Sequence, residues 1–203
     1  MKPRGKSCGS QPSAYNHAHA LLRRSYGEMA DAARTICAAV SIPIIGDGDT
    51  GYGNAVNVKR TVRGYHQAGL AGIMIEDQVA PKRCGHVAGK QVVGFEEAVQ
   101  RVQAACDARD ECCGGDILVM ARTDALHTHG LVEAIRRMKA FADAGADILF
   151  LEALTTREEM ETFCAAVPGI PKMANLIEGG ATPMFPTDAL GEIGFKVSQI
   201  RSS

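Results

Sequence analysis

The sequence predicts an α/β fold built from parallel βαβ units. Six short apolar runs alternate with segments whose apolar residues recur at helical spacing. Five of those runs end in charged or amide residues, the place where parallel sheets bind ligands. Ser25-Tyr-Gly-Glu28 marks the first helix as a capping box: serine hydroxyl and glutamate carboxylate satisfy the first free amides. Met29, Ala32, Ala33, Ile36, Cys37 and Val40 then share one helical face. Ser41-Ile-Pro leads into the run 42–45, read as a buried strand that ends at Gly46. A helix is expected over 55–68, stopped by Gly69, and a strand over 72–76. A helix over 95–109 buries Phe95, Ala98, Val99, Val102 and Cys106, and a strand covers 117–121. A helix over 131–144 stops at Gly145 before a strand over 148–151. Thr156 and Glu159 read as a second capping box, opening a helix over 157–167 before a strand over 171–174. A short helical stretch at 188–190 precedes a last strand over 195–197.

The composition bounds the function. The chain has 203 residues, 46% of them hydrophobic and 22% charged, which fits an ordinary globular domain. The 22 basic and 23 acidic residues leave a net charge of −1, so no global footprint for nucleic acid or an anionic membrane exists. No apolar run reaches the roughly 18 residues of a membrane span. The seven cysteines are odd in number and scattered, with Cys112–Cys113 adjacent and no zinc-type spacing. The basic start MKPRGKSCGS leads into no apolar stretch, so a cytoplasmic or organellar, reducing setting with free thiols is expected. Residues 1–24 are unpatterned, and 25–203 form the expected catalytic domain.

The chemistry gathers at the strand ends. The first strand delivers Asp47 and Asp49, the second Glu76 and Asp77, the third Arg122 and Asp124, the fourth Glu152 and the fifth Asn175. Gly46-Asp-Gly-Asp-Thr-Gly51 fits the dinucleotide fingerprint literally, but Asp47 and Asp49 beside a pyrophosphate argue against that use. The same acids, with Glu76, suit a hard divalent cation such as Mg2+, or Mn2+, which takes oxygen ligands and leaves positions for a 2-oxo or 2-hydroxy carboxylate. Arg122 is expected to hold a substrate carboxylate in a bidentate fork. The connection after Glu76 is long and glycine-punctuated, about 18 residues against a usual median of about 4–6, and suits an active-site loop. It carries Lys82-Arg-Cys-Gly-His86, whose cationic neighbours would lower the thiol pKa of Cys84. The other six cysteines are expected to be structural. His127-x-His129 and His17-x-His19 lack an acid in matching geometry and read as solvated segments.

In order along the chain, GDGDTGYGN, IEDQ, KRCGH, ARTDA, FLEA and MAN resemble the isocitrate lyase / phosphoenolpyruvate mutase superfamily, and KRCGH resembles the signature of its carbon–carbon lyase branch, which includes 2-methylisocitrate lyase. The resemblance covers about 25–197. It implies a (β/α)8 barrel, whereas strand count alone favours an open doubly wound sheet. The six strands would be barrel strands three to eight. The family's first two strands and last helix find no counterpart, so the barrel is expected to be incomplete. Carried over residue by residue, Asp47, Asp49 and Glu76 match the magnesium-site acids; Arg122 and Glu152 match substrate- and site-ordering residues. Asn175 matches a substrate contact, with Gly85 and His86 beside the substrate, and Cys84 matches the acid/base thiol, flanked by Lys82 and His86. The implied activity is retro-aldol cleavage of a small carboxylic acid by a homo-oligomer. On the same scaffold the alternatives are an oxaloacetate decarboxylase or hydrolase and a phosphonate mutase; a non-catalytic barrel remnant is the other class.

Overall fold

The computed structural model describes residues 25–82, 89–180 and 182–201. Helices and strands alternate through them: α1 (Tyr26–Ala39), β1 (Ile45–Asp47), α2 (Ala55–Gln67), β2 (Gly72–Glu76), α3 (Phe95–Cys112), β3 (Leu118–Thr123), α4 (Ala125–Asp143), β4 (Ile148–Leu151), α5 (Arg157–Ala166), β5 (Met173–Ile177), α6 (Thr187–Ile193) and β6 (Val197–Arg201). Strands β1 to β4 pair in parallel in chain order, as do β5 and β6. A parallel bridge between Leu149 and Lys172 links the two groups into one wall. A doubly wound sheet reverses its strand order at a switch point. This wall never reverses, which is the order of a (β/α) barrel.

Period-two alternation splits each strand between two cores. Ile73, Ile75, Val119, Ala121, Leu149, Leu151, Ala174 and Leu176 face the helices in the main core. Met120, Ile148, Phe150 and Met173, with Met74 and Val197 against them, form a separate cluster on the other face, the barrel interior. Two residues further along the same face stand Glu76, Arg122, Glu152 and Asn175. The interior is therefore an apolar floor with a polar layer at the carboxyl ends.

Several expected boundaries move. Strands β3, β5 and β6 run two to four residues past the ends expected from hydropathy. The apolar run stops where the site residues begin, but the backbone ladder continues through them: Glu76 pairs with Arg122 and Asn175 with Gln199. The first strand is Ile45–Asp47, not 42–45, and it is not buried: Ile42 is 70% and Ile45 43% exposed. Among the described residues it pairs only with β2, so its outer edge is uncovered. Along α1, Ala30 and Ala33 are buried but Ile36 and Val40 are exposed, so the packed face is narrower than the apolar pattern. Helix α4 begins six residues early because a turn at 125–129 joins it across Gly130, whose φ of 80° breaks the helix. The Thr156 box is shifted: Thr156 Oγ accepts from Glu159 N, while the Glu159 carboxylate accepts from Thr155 N instead of the cap residue.

Candidate active site

The first two acids are placed by a turn that the glycines permit. Gly48 N donates to Met74 O at 2.8 Å and Glu76 N to Asp49 O at 3.0 Å, so the turn zips onto β2 beyond the strand proper. A Cβ on Gly48 would stand 2.8 Å from both Ile73 and Ile75 side chains, which only glycine avoids. Asp47 accepts from Asp49 N at 2.9 Å, and Asp49 itself sits at φ 51°, a left-handed conformation that non-glycine residues rarely hold. Tyr65, buried on α2, donates to Asp47 O at 2.9 Å and meets the Tyr52 hydroxyl at 3.2 Å. Asn54 caps α2 by accepting from Val56 N and Asn57 N, so that helix end is closed by its own side chain.

Asp47, Asp49 and Glu76 converge on one cation, the ammonium of Lys82. Its Nζ lies 2.7 Å from Asp47 Oδ2 and 4.0 Å from Glu76 Oε2, and it also pairs with Asp49 Oδ1. Burial pulls the Lys82 ammonium toward neutrality, but Asp47, Glu76 and Asp49 outweigh it and hold its pKa above the ordinary value. Glu76 is 2% exposed, and neither carboxylate oxygen accepts a hydrogen bond among the described residues. Burial lifts its pKa to about 8, against the opposing pull of Arg122 and Lys82. Burial also raises Asp49, with Lys82 opposing. An orphaned buried carboxylate and two neighbouring acids gathered round one positive charge are a donor set that fits a hard divalent cation. Among the described residues, no group of three such side chains is arranged as a metal-holding set; the Lys82 ammonium stands among these three acids instead.

Arg122 is held by an acid of its own chain. Its fork is already filled: Nε donates to Asp124 Oδ2 at 2.8 Å and Nη2 to Asp124 Oδ1 at 3.0 Å. Glu76 lies 3.4 Å from Nε and Glu152 3.9 Å from Nη2. The guanidinium also stacks over Phe150, 5.1 Å from the ring centre. The side-on fork of Nε and Nη2 is therefore taken by Asp124, which leaves the Nη1 side of the guanidinium outside that pair. Lys90 donates to Asp124 Oδ1 at 2.8 Å. Burial works against ionisation of Asp124, yet Arg122 and Lys90 hold its pKa below the usual carboxylate range.

Asp77 is not a site acid but an anchor. It accepts from Thr123 Oγ at 2.6 Å, Asp124 N at 2.9 Å and Arg137 Nη1 at 2.9 Å. Arg137 also donates to Val93 O, and Arg101 to the carbonyls of Glu76 and Gln78. These two helix arginines fasten both ends of the long connection. Sequence reasoning missed them and Lys90; an arginine on the buried face of an amphipathic helix was the available signal. Asn175 Oδ1 is buried with no donor among the described residues. Ala153, at φ 64°, follows Glu152 at the end of β4. Cys84, Gly85 and His86 lie outside the described residues. His127 and His129 are exposed, on a helical turn instead of a loop. Five of the cysteines are described and all are free thiols.

Sequence and fold comparisons place the chain among known proteins. Over 171 residues the chain is 46% identical to the 2,3-dimethylmalate lyase of Eubacterium barkeri, covering 84% of this chain and 58% of that protein. It is 48% identical over 158 residues to the 2-methylisocitrate lyase of Escherichia coli, covering 77% and 52%. The solved structure of an oxaloacetate acetylhydrolase with the inhibitor 3,3-difluorooxalacetate superposes with a TM-score of 0.84 at 35% identity, covering 88% of this chain and 61% of that one. The chain thus spans about half the length of the curated relatives it matches. The sequence match over residues 19–200 shows that the chain belongs to the phosphoenolpyruvate phosphomutase family.

Proposed function

We propose that the protein is a magnesium-dependent carbon–carbon lyase acting on a small 2-hydroxy or 2-oxo carboxylic acid, with residues 25–203 as its barrel catalytic domain. The observation that carries this reading is the convergence of Asp47, Asp49 and the orphaned Glu76 on one positive charge at the mouth of the barrel interior. The lyase relatives named above support it. Asp47, Asp49 and Glu76 would hold Mg2+ or Mn2+, which supplies charge stabilisation for oxygens on the substrate. Arg122 contributes Nη1 to the substrate carboxylate, its guanidinium held rigid by Asp124. Asn175 offers an amide to the substrate from β5, and Glu152 completes the negative wall around Arg122. The 2-hydroxy acid gives up its hydroxyl proton, the C–C bond breaks, and a 2-oxo acid departs. Cys84, between Lys82 and His86 with Gly85, returns a proton to the carbon left as an enolate. A homo-oligomer in the cytoplasm completes the reading, supported by free thiols and by the exposed Ile36 and Ile42.

The likeness to an oxaloacetate acetylhydrolase favours a second reading, hydrolysis of a 2-oxo diacid on the same scaffold. One experiment separates them. The protein is incubated with Mg2+ and, in parallel, 2,3-dimethylmalate, 2-methylisocitrate and oxaloacetate, and products are followed by mass spectrometry. The lyase reading expects cleavage of a 2-hydroxy acid that Cys84→Ser slows by about a hundredfold or more, the scale of lost acid–base catalysis, with substrate binding retained. Turnover of oxaloacetate alone would establish the second reading instead. Calorimetry with Mg2+ should show binding that Asp49→Ala weakens strongly; equal binding by the variant would remove the metal assignment.

A further inference from the structure

Lys82 has no counterpart among the described lysines. Its side chain is 9% exposed, and its ammonium stands among three carboxylates from two strand ends. Two of those carboxylates, Asp49 and Glu76, are themselves 15% and 1% exposed. Packing three acids so closely without a counter-charge is costly at low dielectric. The lysine meets that need for Asp47 and Asp49 and shares Glu76 with Arg122, while among the described residues neither Glu76 oxygen accepts a hydrogen bond. Among the other described cations nearby, Arg122 lies 3.4 Å from Glu76 Oε2, but its Nε and Nη2 donate to Asp124; Lys90 is bound to Asp124, Arg137 to Asp77 and Arg101 to backbone carbonyls.

We propose that Lys82 is a tethered, exchangeable counter-cation: its ammonium and a divalent cation compete for the same three carboxylates, so binding of one expels the other. The inference rests on the metal reading above and deepens it. The two charges cannot share the position. An ammonium 2.7 Å from Asp47 Oδ2 fills the space a ligand oxygen would offer a metal at about 2.0–2.1 Å, and the repulsion between cations at such range is severe. A monovalent ammonium on a flexible stem is the weaker competitor, because a divalent ion brings twice the charge to the same acids. Two consequences follow. The acid cluster is never without positive charge, so the metal-free fold keeps its shape. Cation binding also delivers a free ammonium to the barrel mouth, where the sequence places Lys82 beside Cys84.

The competition is read without any activity measurement. Isothermal titration with Mg2+ alone and Mn2+ alone compares wild type with Lys82→Met, which keeps the stem and removes the charge. Removing the competitor should tighten divalent binding by about tenfold or more, one such factor being a modest share of a close charge–charge interaction. In a second measurement on the unaltered protein, lysines are acetylated with an N-hydroxysuccinimide ester and Lys82 is followed by peptide mass spectrometry. Saturating Mg2+ should speed its modification several-fold, because the ammonium leaves its buried cluster. Equal or weaker Mg2+ affinity in Lys82→Met, or unchanged acetylation where wild type binds Mg2+, would overturn the displacement and leave the metal reading standing. Absence of Mg2+ and Mn2+ binding in both proteins would overturn the two together. The acetylation arm needs no variant and decides the question even where Lys82→Met fails to fold.

Discussion

At the scale of single residues, the site is governed by what burial does to charge. Glu76 is the clearest case, a carboxyl with no hydrogen bond among the described residues, whose pKa burial lifts to about 8 from an ordinary 4.5. Below about 4.5 both folded and unfolded chains keep the proton, and stability does not change with pH on its account. Between 4.5 and 8 the unfolded chain has released it and the folded chain has not, so stability falls as pH rises and the loss is complete above 8. Each pKa step is worth about 1.4 kcal/mol, making the whole effect on the order of a few kcal/mol. Glu76→Gln imitates the protonated side chain and escapes this loss. Urea unfolding in EDTA should show the variant gaining on wild type from pH 5 to 8 and holding its lead at pH 9. A gap identical at pH 5 and 9 would mean that Glu76 is solvated. Added Mg2+ should reverse the order at pH 8, because only the ionised glutamate binds it. The sequence identified Glu76, Asp47 and Asp49 because acids directly after apolar runs are conspicuous. It did not reveal that Asp124 fills the Arg122 fork, since a partner two residues away reads as one more strand-end charge until the side chains are seen to fold back.

Elements were legible wherever the signal is local. The Ser25–Glu28 capping box forms as read, with Ser25 N donating to Glu28 Oε2 at 2.8 Å. Strands β2 and β4 match the expected runs residue for residue. Packing between elements was not legible, and Gly64 shows why. It lies mid-helix in α2, where glycine usually costs about 0.5–1 kcal/mol relative to alanine. Here a Cβ would run into the Tyr26 hydroxyl and stand 2.8 Å from its ring carbon Cζ. Tyr26 from α1 stacks on Tyr65 at 6.3 Å, meets Tyr52 edge-on at 6.0 Å and lies under the Arg60 guanidinium at 4.6 Å, so the ring has little room to retreat. Gly64→Ala should therefore lower the unfolding free energy by roughly 1–3 kcal/mol through overpacking, and the melting temperature with it. In a Tyr26→Ala background the same substitution should be neutral or stabilising, because only helix propensity remains. A double-mutant cycle by thermal unfolding reads the coupling directly; simple additivity would show that the α1–α2 contact does not depend on this glycine.

At the scale of the whole molecule, the polar layer exists because strands in unbroken order curve one face inward. Counting strands could not reveal this, since six parallel strands also suit an open sheet; pairing order and the separate interior cluster of Met120, Ile148, Phe150 and Met173 decide it. The same architecture leaves a mark at its margins. Among the described residues β1 pairs only with β2, and β6 only with β5. In β1 and the segment leading into it from α1, Ile36, Val40, Ile42 and Ile45 are 50%, 44%, 70% and 43% exposed. A strand edge bordered by apolar side chains is a template for pairing with another chain unless lysine, proline or a bulge blunts it. Pro43 lacks an amide, which removes one donor, but Ile42 and Ile45 flank it on both sides. The 203-residue polypeptide should consequently associate in a concentration-dependent way and bind a fluorescent apolar dye at this margin. Ile36→Lys combined with Ile42→Lys sets charge on this exposed apolar segment without entering either core, since neither residue belongs to the buried clusters. Sedimentation velocity should show the double variant shifted toward monomer, with its circular dichroism unchanged and its unfolding free energy within about 0.5 kcal/mol of wild type, as for surface substitutions. An unchanged sedimentation profile would place the association elsewhere. A collapsed melting transition would instead mean that this margin is covered in the folded protein, with Ile36 and Ile42 held against residues outside those described.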